Sequence, residues 1–243
     1  MKHYGLIGYP LTHSFSKKYF SGKFEREHIA DCVYENYPMS AIDEFPALLQ
    51  SEKTLVGLNV TIPYKESVMQ YLHELDDTAR EIGAVNTIRI AGGRMKGYNT
   101  DVYGFMHSIT PMLETQHHHA LILGTGGSSK AVAWSFRKMG ISYQFVSRNP
   151  AHPGEISYAE AGNQISRSKI IVNTTPAGMY PNVDAAPDIP YEKITPAHIL
   201  FDLVYNPEET LFLQRGKLQQ ANIKNGLEML QLQAEKSWQI WNT

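Results

Sequence analysis

A single cysteine, Cys32, stands in the 243-residue chain. It leaves nothing to pair with in an intramolecular disulfide, rules out a cysteine-based zinc cluster and suits a reducing compartment. Charge is nearly balanced as well: the formal net charge is -2, so no basic field exists to attract a phosphate backbone, and nucleic acid is not expected as a partner. No apolar run nears the length of a membrane span. The opening "MKHYGLIGYP" passes straight into a strand without the apolar core of a signal peptide. The expectation is a cytoplasmic protein with no membrane attachment.

What the chain does contain is ordinary for a folded protein: 42% hydrophobic and 19% charged residues, over a length that holds one large domain or two moderate ones. "YGLIGYP" reads as a short strand, and a helix follows Ser14 and Ser16, either of which can cap it by accepting backbone N–H bonds. "TLVGLNVTIP" reads as the next strand. In "KESVMQYLHEL" the apolar residues Val68, Met69, Leu72 and Leu75 have helical spacing. "AVNTIRIAGGRMKGYNT" sets Gly92 and Gly93 between two alternating runs, predicting a hairpin at an antiparallel edge. Beyond Asp101, "DVYGFMHSITPMLE" reads as a helix.

From Ala120 onward the pattern is strictly strand, helix, strand. "ALIL" is a buried strand, "GTGGSSKAVAWSFRKMG" a glycine turn opening a helix that Gly140 ends, and "YQFVS" the next strand. "KIIVNTTPAGM" and "HILFDLVYNP" repeat strand then loop, and "GLEMLQLQAEKSWQIW" is a long amphipathic helix. Strands of a parallel sheet end where ligands bind.

Gly124, Gly126 and Gly127 allow a pyrophosphate to approach the backbone, and the helix after them offers unpaired amides at its positive end. Ser129 takes the place of the third glycine in the dinucleotide fingerprint. At the end of the next strand, where an NAD site wants a carboxylate for the ribose, stand Ser147, Arg148 and Asn149. A guanidinium there pairs with a 2′-phosphate that a carboxylate would repel, which favours NADP(H) over NAD(H). A solvated surface arginine is the plain alternative.

"NVTIPYKE" puts a lysine just past a proline bend at the top of a strand. Lys65 at the start of a helix is unfavourable beside the positive end of the dipole, which argues for another use. Asp101 can cap the helix it begins, Asn86 can be a turn residue and Gln233 a solvated helix position. His117, His118 and His119 are taken as solvent-facing, since three consecutive loop residues seldom converge on one ion; no metal is expected.

In order along the chain, "GYPLTHSFS", "GLNVTIPYK", "GAVNT", "GYNTDVYGF", the glycine turn, "NTTPAGM", "DLVYNP" and "GLEMLQLQ" resemble the motifs of the shikimate dehydrogenase family from end to end. The resemblance implies an α/β enzyme of two domains separated by a cleft, a substrate-binding domain with a mostly parallel sheet (1–100 plus 226–243) and a Rossmann-like NADP-binding domain (101–225). It implies reversible reduction of 3-dehydroshikimate to shikimate with NADPH, a step of chorismate and aromatic amino acid biosynthesis. The partner is then this small-molecule substrate, bound by a monomer or homodimer.

Carried onto this sequence, the family pattern gives Lys65 and Asp101 the catalytic roles. Ser14 and Ser16 would hold the substrate carboxylate, with Thr61, Lys65, Asn86, Asp101 and Gln233 around the ring oxygens and Tyr205 closing the pocket. The cofactor set is Gly124, Thr125, Gly126, Gly127, Ser128, Ser147, Arg148, Asn149, Thr174, Val204 and Gly226. A lysine already charged at neutral pH can stabilise the oxygen that receives charge on hydride transfer and give it a proton. The chain departs from the family after Ser16 ("KKYFSGKFERE"), after "YNP", and downstream of Arg148, where no second basic residue stands. Two rivals remain open: a quinate/shikimate dehydrogenase using NAD, and a non-catalytic nucleotide-binding sensor.

Overall fold

The apolar runs fold into two six-stranded sheets in the computed structural model, which describes residues 1–11 and 14–243. Thr12 and His13, inside the "GYPLTHSFS" stretch, lie outside the described residues. By its internal contacts the chain divides into two compact units, Met1–Thr100 with Gln233–Thr243, and Asp101–Leu232.

The first unit holds β1 (Lys2–Gly8), α1 (Phe15–Arg26), β2 (Cys32–Pro38), α2 (Phe45–Ser51), β3 (Leu55–Val60), β4 (Glu74–Leu75), α3 (Asp77–Ile82), β5 (Thr87–Ala91) and β6 (Arg94–Tyr98). Its strand order is β2-β1-β3-β5-β6-β4. β1 runs parallel to β2 and β3, while β5 is antiparallel to both β3 and β6. Ser14 caps α1 by accepting the Lys17 N–H at 3.2 Å, and Lys23 and Arg26 sit at the favourable negative end of the helix. Ile7, Leu58, Val60, Val85 and Ile88 are buried in one core cluster of this unit.

The second unit holds α4 (Asp101–Ile109), β7 (His119–Leu123), α5 (Gly127–Lys138), β8 (Ser142–Ser147), β9 (Glu155–Ser157), α6 (Tyr158–Gln164), β10 (Ile170–Asn173), β11 (Ile199–Asp202), α7 (Leu211–Leu218), β12 (Asn222–Lys224) and the start of α8 (Leu227–Trp241). Its sheet, β12-β11-β10-β7-β8-β9, is parallel throughout. β7, β10 and β11 are apolar and almost fully buried because helices cover both faces of a parallel sheet. Near its start α8 gives Met229 to the core of this unit. Its end gives Ala234 and Trp241 to an aromatic cluster with Tyr4, Phe20, Phe24 and Tyr34 in the first unit. The second passage of the chain between the units therefore falls within α8, at Gln233, and not before the helix.

Three expectations from the sequence change. Residues 65–75 do not form an α-helix: a 3₁₀ turn, Ser67–Tyr71, is followed by β4. The reason is competition from the sheet, since the His73 N–H binds the Met95 carbonyl and the Asp76 N–H the Gly97 carbonyl, drawing the backbone into an extended path along β6. The hairpin of β5 and β6 forms as read, with its turn at Gly92 and Gly93, but the short parallel β4 and not the hairpin is the sheet's edge. The helix from Asp101 ends at Ile109, where Pro111 breaks the pattern and leaves a 3₁₀ turn, Thr110–Met112.

Candidate active site

In the first unit, the strand tops and α8 supply the residues singled out in the sequence. Thr61 follows β3, its N–H bound to the Ile7 carbonyl at 2.9 Å, and its carbonyl accepts the Tyr64 N–H, closing the turn through Pro63. Lys65 comes next, half-buried, and its carbonyl accepts the Val85 N–H at 2.7 Å. The lysine is thereby tied, through its backbone, to the residue before Asn86. Asp101, buried, opens α4 in the second unit.

Asn86 is the centre of a polar network. Its Oδ1 accepts the Thr100 N–H at 2.7 Å and its Nδ2 donates to Gln233 Oε1 at 3.3 Å, across 147 residues of sequence. Thr100 Oγ1 also donates to Gln233 Oε1, at 3.3 Å. One helical turn on, Ser237 bonds Gln233 O, Thr87 Oγ1 and Asn59 Nδ2. Asn59 Oδ1 accepts from the Tyr34 phenol at 2.8 Å, and the Ser16 side chain lies beside that phenol, whose pKa burial drives far upward. Ser16, Asn86 and Gln233 thus belong to one connected, buried polar seam. Such a seam is stabilising when its members are satisfied, as Asn59 Nδ2, Asn86 Nδ2 and the Tyr34 and Ser237 hydroxyls are here. Ser14 caps α1 and takes no part in these bonds.

Asn59, Thr87, Thr100 and Ser237 were not legible in the sequence as parts of a site. Each is a short polar residue of a common type, a weak signal, and their partners lie up to 178 residues away.

In the second unit the glycine turn follows β7. Gly124 has φ +108°, a left-handed value, and a side chain there would meet Thr174 Oγ1 at 2.7 Å. Thr174 itself donates to the Leu123 carbonyl at 2.7 Å, so Gly124 and Thr174 close on each other across neighbouring strands. Gly126 is the cap residue of α5 and has no side chain to bond its amides; open space lies where a Cβ would be. Thr125 is exposed, and Gly127 and Ser128 form the first turn. Ser129, in the third-glycine position, is fully buried with its hydroxyl on the Gly126 carbonyl at 2.5 Å. A small residue whose hydroxyl is satisfied locally keeps the close helix-to-strand packing that the glycine would give.

At the end of β8 stand the three residues expected beside the adenosine ribose. Ser147 Oγ accepts the Asn149 N–H at 3.2 Å, and Arg148 is exposed. Two acids nearby are engaged elsewhere: Glu155 accepts the Ala151 N–H at 2.9 Å, and Glu160 caps α6 through Ser157, whose bonds hold its carboxyl below the usual range. With these two carboxylates bound to their own loops and an arginine exposed, the residues fit NADP(H).

Beyond β11 the chain runs Leu203, Val204, Tyr205. Val204 is buried, Tyr205 half-buried with its phenol pushed up by burial. The Gly226 N–H donates to the Val204 carbonyl at 3.2 Å, and a Cβ on Gly226 would stand 2.2 Å from the Leu203 carbonyl oxygen, so only glycine permits this approach. The structure brings Val204 and Gly226 together, and with them Leu203, which the sequence did not single out.

The histidine run is not uniformly solvent-facing. His117 is buried, its Nδ1 accepting the Glu114 N–H at 2.8 Å and its Nε2 beside the Ala197 carbonyl at 3.2 Å. The loop folds back on itself and uses the ring as an internal bonding group. Among the described residues no group of three or more His, Cys, Asp or Glu is placed to hold a metal ion, and no helix is long and apolar enough to cross a membrane.

Residues 6–88 match the model of the shikimate dehydrogenase substrate binding domain. The chain is 36% identical to the shikimate dehydrogenase (NADP(+)) of Methanococcus vannielii, over 98% of this chain and 90% of the relative. To that of Clostridium beijerinckii it is 39% identical, over 99% and 92%. Among solved structures, shikimate 5-dehydrogenase from Thermus thermophilus in complex with NADP(H) and shikimate matches with a TM-score of 0.88 at 27% identity, covering 99% of this chain and 93% of that one.

Proposed function

The chain belongs to the shikimate dehydrogenase family, and from that premise we propose that it interconverts 3-dehydroshikimate and shikimate with NADP(H), within chorismate and aromatic amino acid biosynthesis. When bound, NADPH supplies the hydride to the carbonyl carbon. Lys65 stabilises the negative charge that develops on the carbonyl oxygen and gives it a proton; Asp101 orients the ammonium and accepts from a substrate hydroxyl. Ser14 and Ser16 hold the substrate carboxylate. Thr61, Asn86 and Gln233 match the ring oxygens, and Tyr205 covers the ring.

On the nucleotide side, the first turn of α5, entered through Gly124, Thr125, Gly126, Gly127 and Ser128 with Thr174 behind, receives the pyrophosphate at the positive end of the helix. Ser147, Arg148 and Asn149 take the adenosine ribose and its 2′-phosphate, and Val204 and Gly226 the nicotinamide. The domains are then a substrate-binding unit and an NADP-binding unit. We assign the enzyme to the cytoplasm, as a monomer or homodimer with no nucleic-acid partner.

The observation that carries this reading is the mutual fixing of Asn86 and Gln233 at 3.3 Å beside the segment tied to Lys65. A buried amide pair held in one orientation is what a polar ring ligand needs, since an unmatched buried polar group costs about 1–3 kcal/mol. The test is oxidation of shikimate by purified protein, followed by NADPH absorbance, with NAD+ and with quinate as comparisons. Turnover of shikimate with NADP+ well above both comparisons is expected. Preference for quinate and NAD+ would move the assignment to the quinate/shikimate enzymes, and turnover of neither acid would leave a non-catalytic binder.

A further inference from the structure

We infer that Asp202 is a positioning residue for the loop that carries Val204 and Tyr205, and that its carboxylate is the latch which fixes that loop to the ends of β10 and α7. The inference rests on the roles proposed above for Val204 and Tyr205.

Asp202 is the last residue of β11 and has no exposed surface. Oδ1 accepts the Val204 N–H at 3.0 Å and Asn173 Nδ2 at 3.0 Å; Oδ2 accepts the Thr210 hydroxyl at 2.5 Å. Each donor belongs to a different segment. Asn173 ends β10 directly beside Asp202 in the parallel register, and its own Oδ1 accepts from the Thr175 N–H and hydroxyl at the start of the "TTPAGM" loop. Thr210 caps α7. Val204 accepts the Gly226 N–H, so the fourth segment, leading into α8, hangs on the same carboxylate at one remove.

Placing an ion here is a poor choice for stability alone. All three partners are neutral, and burial pushes the carboxyl up to about 6. The Tyr191 phenol feels its charge, and the Arg215 guanidinium stacks over that ring at 5.1 Å; neither bonds the carboxylate. What an acceptor-only group with two oxygens provides is geometry: three donors from three segments converge on one rigid plane, so the Val204 peptide is held relative to both neighbouring loops. Displacing a contact group by about 1 Å can cost on the order of 10²-fold in rate, which sets the scale of the effect.

The test uses the full chain and two readouts, hydrogen exchange at Val204 in nucleotide-free protein and the steady-state kinetics of shikimate oxidation with NADP+. Asp202→Ala is expected to lower the Val204 protection factor by about tenfold or more while β7 and β8 keep theirs, and to lower kcat/KM on the order of 10²-fold. Asp202→Asn, which keeps an acceptor for Val204 and Asn173, should recover most of both losses.

Unchanged protection in Asp202→Ala, or lost protection with unchanged kcat and KM, overturns the inference. So does an Asp202→Asn variant as impaired as Asp202→Ala, because charge and not the bonding pattern would then be at work. If Asp202→Ala does not fold, Thr210→Val frees Oδ2 alone and should loosen Val204 several-fold in the same readout; no change there overturns the inference equally. Wild-type protein with no shikimate turnover would sink the proposed function, and exchange at Val204 would then decide the latch without it.

Discussion

Asn86 Oδ1 accepts the Thr100 backbone N–H at 2.7 Å, which fixes the residue immediately before Asp101 to the segment whose Val85 N–H holds the Lys65 carbonyl. Of the two acid–base residues of the proposed mechanism, Lys65 bonds this segment through its own carbonyl and Asp101 directly follows a residue that does. Their placement is inherited from backbone hydrogen bonds and not from long side chains alone, and several outcomes follow from that.

Asn86→Ala removes a buried acceptor and leaves the Thr100 N–H without its partner. The variant should lose about 1–3 kcal/mol of stability. Urea unfolding would register this as a lower midpoint at unchanged slope.

Lys65→Ala takes away the proposed proton donor while its backbone bond to the Val85 N–H stays in place. Turnover should fall by roughly 10²- to 10⁴-fold with NADPH binding nearly unchanged. Titrating nucleotide fluorescence beside the kinetics separates the two; near-native kcat would remove Lys65 from the chemistry.

Arg148→Ala should weaken NADPH by about 10- to 100-fold, the value of about 1.5–3 kcal/mol for a bond to a charged group, and NADH far less. Equal losses for both nucleotides would take Arg148 out of the phosphate site.

Burial raises the Asp202 carboxyl from 3.8 to about 6, so the folded protein holds that proton more tightly than the unfolded chain. The associated stability is complete below about pH 4 and is lost as pH rises through about 6. Relative to Asp202→Asn, which has nothing to ionise there, the wild type should lose about 3 kcal/mol between about pH 4 and 7. Paired urea melts across that range give the difference directly, and a flat difference would contradict it.

Gly226→Ala drives a Cβ to 2.2 Å from the Leu203 carbonyl oxygen and 2.7 Å from its carbon, both backbone atoms that cannot swing aside. A cost of about 1–3 kcal/mol is expected, with weaker NADPH binding because Leu203 and Val204 must shift. Calorimetric melting with and without nucleotide measures both effects.

Much of this molecule was legible in its sequence because the signals were local. Apolar runs of β7, β10 and β11 ending in Gly, Asn and Asp declare a parallel sheet and its functional edge, and Gly124 and Gly126 declare the turn. β2 and β9 escaped: "CVYENYP" mixes polar and apolar residues because β2 is an edge strand, partly exposed on both faces. The 65–75 segment misled because its apolar spacing suits a helix while its backbone partners, Met95 and Gly97, lie in a strand that follows it. The latch at Asp202 was hidden for a similar reason. Asn173 and Asp202 each end an apolar run, but only the register sets them side by side.

The last helix has a consequence for how the protein is made. Trp241 and Ser237 complete the interior of a unit that otherwise ends at Thr100, Trp241 through its indole bond to the Ile88 carbonyl at 3.0 Å and its contact with Tyr4 and Phe20. During synthesis from the amino terminus, the unit begun first must wait, with its aromatic groove and polar seam unfilled, until the whole of the other unit has emerged. Deleting the final turn would therefore harm the part of the protein farthest from it in sequence.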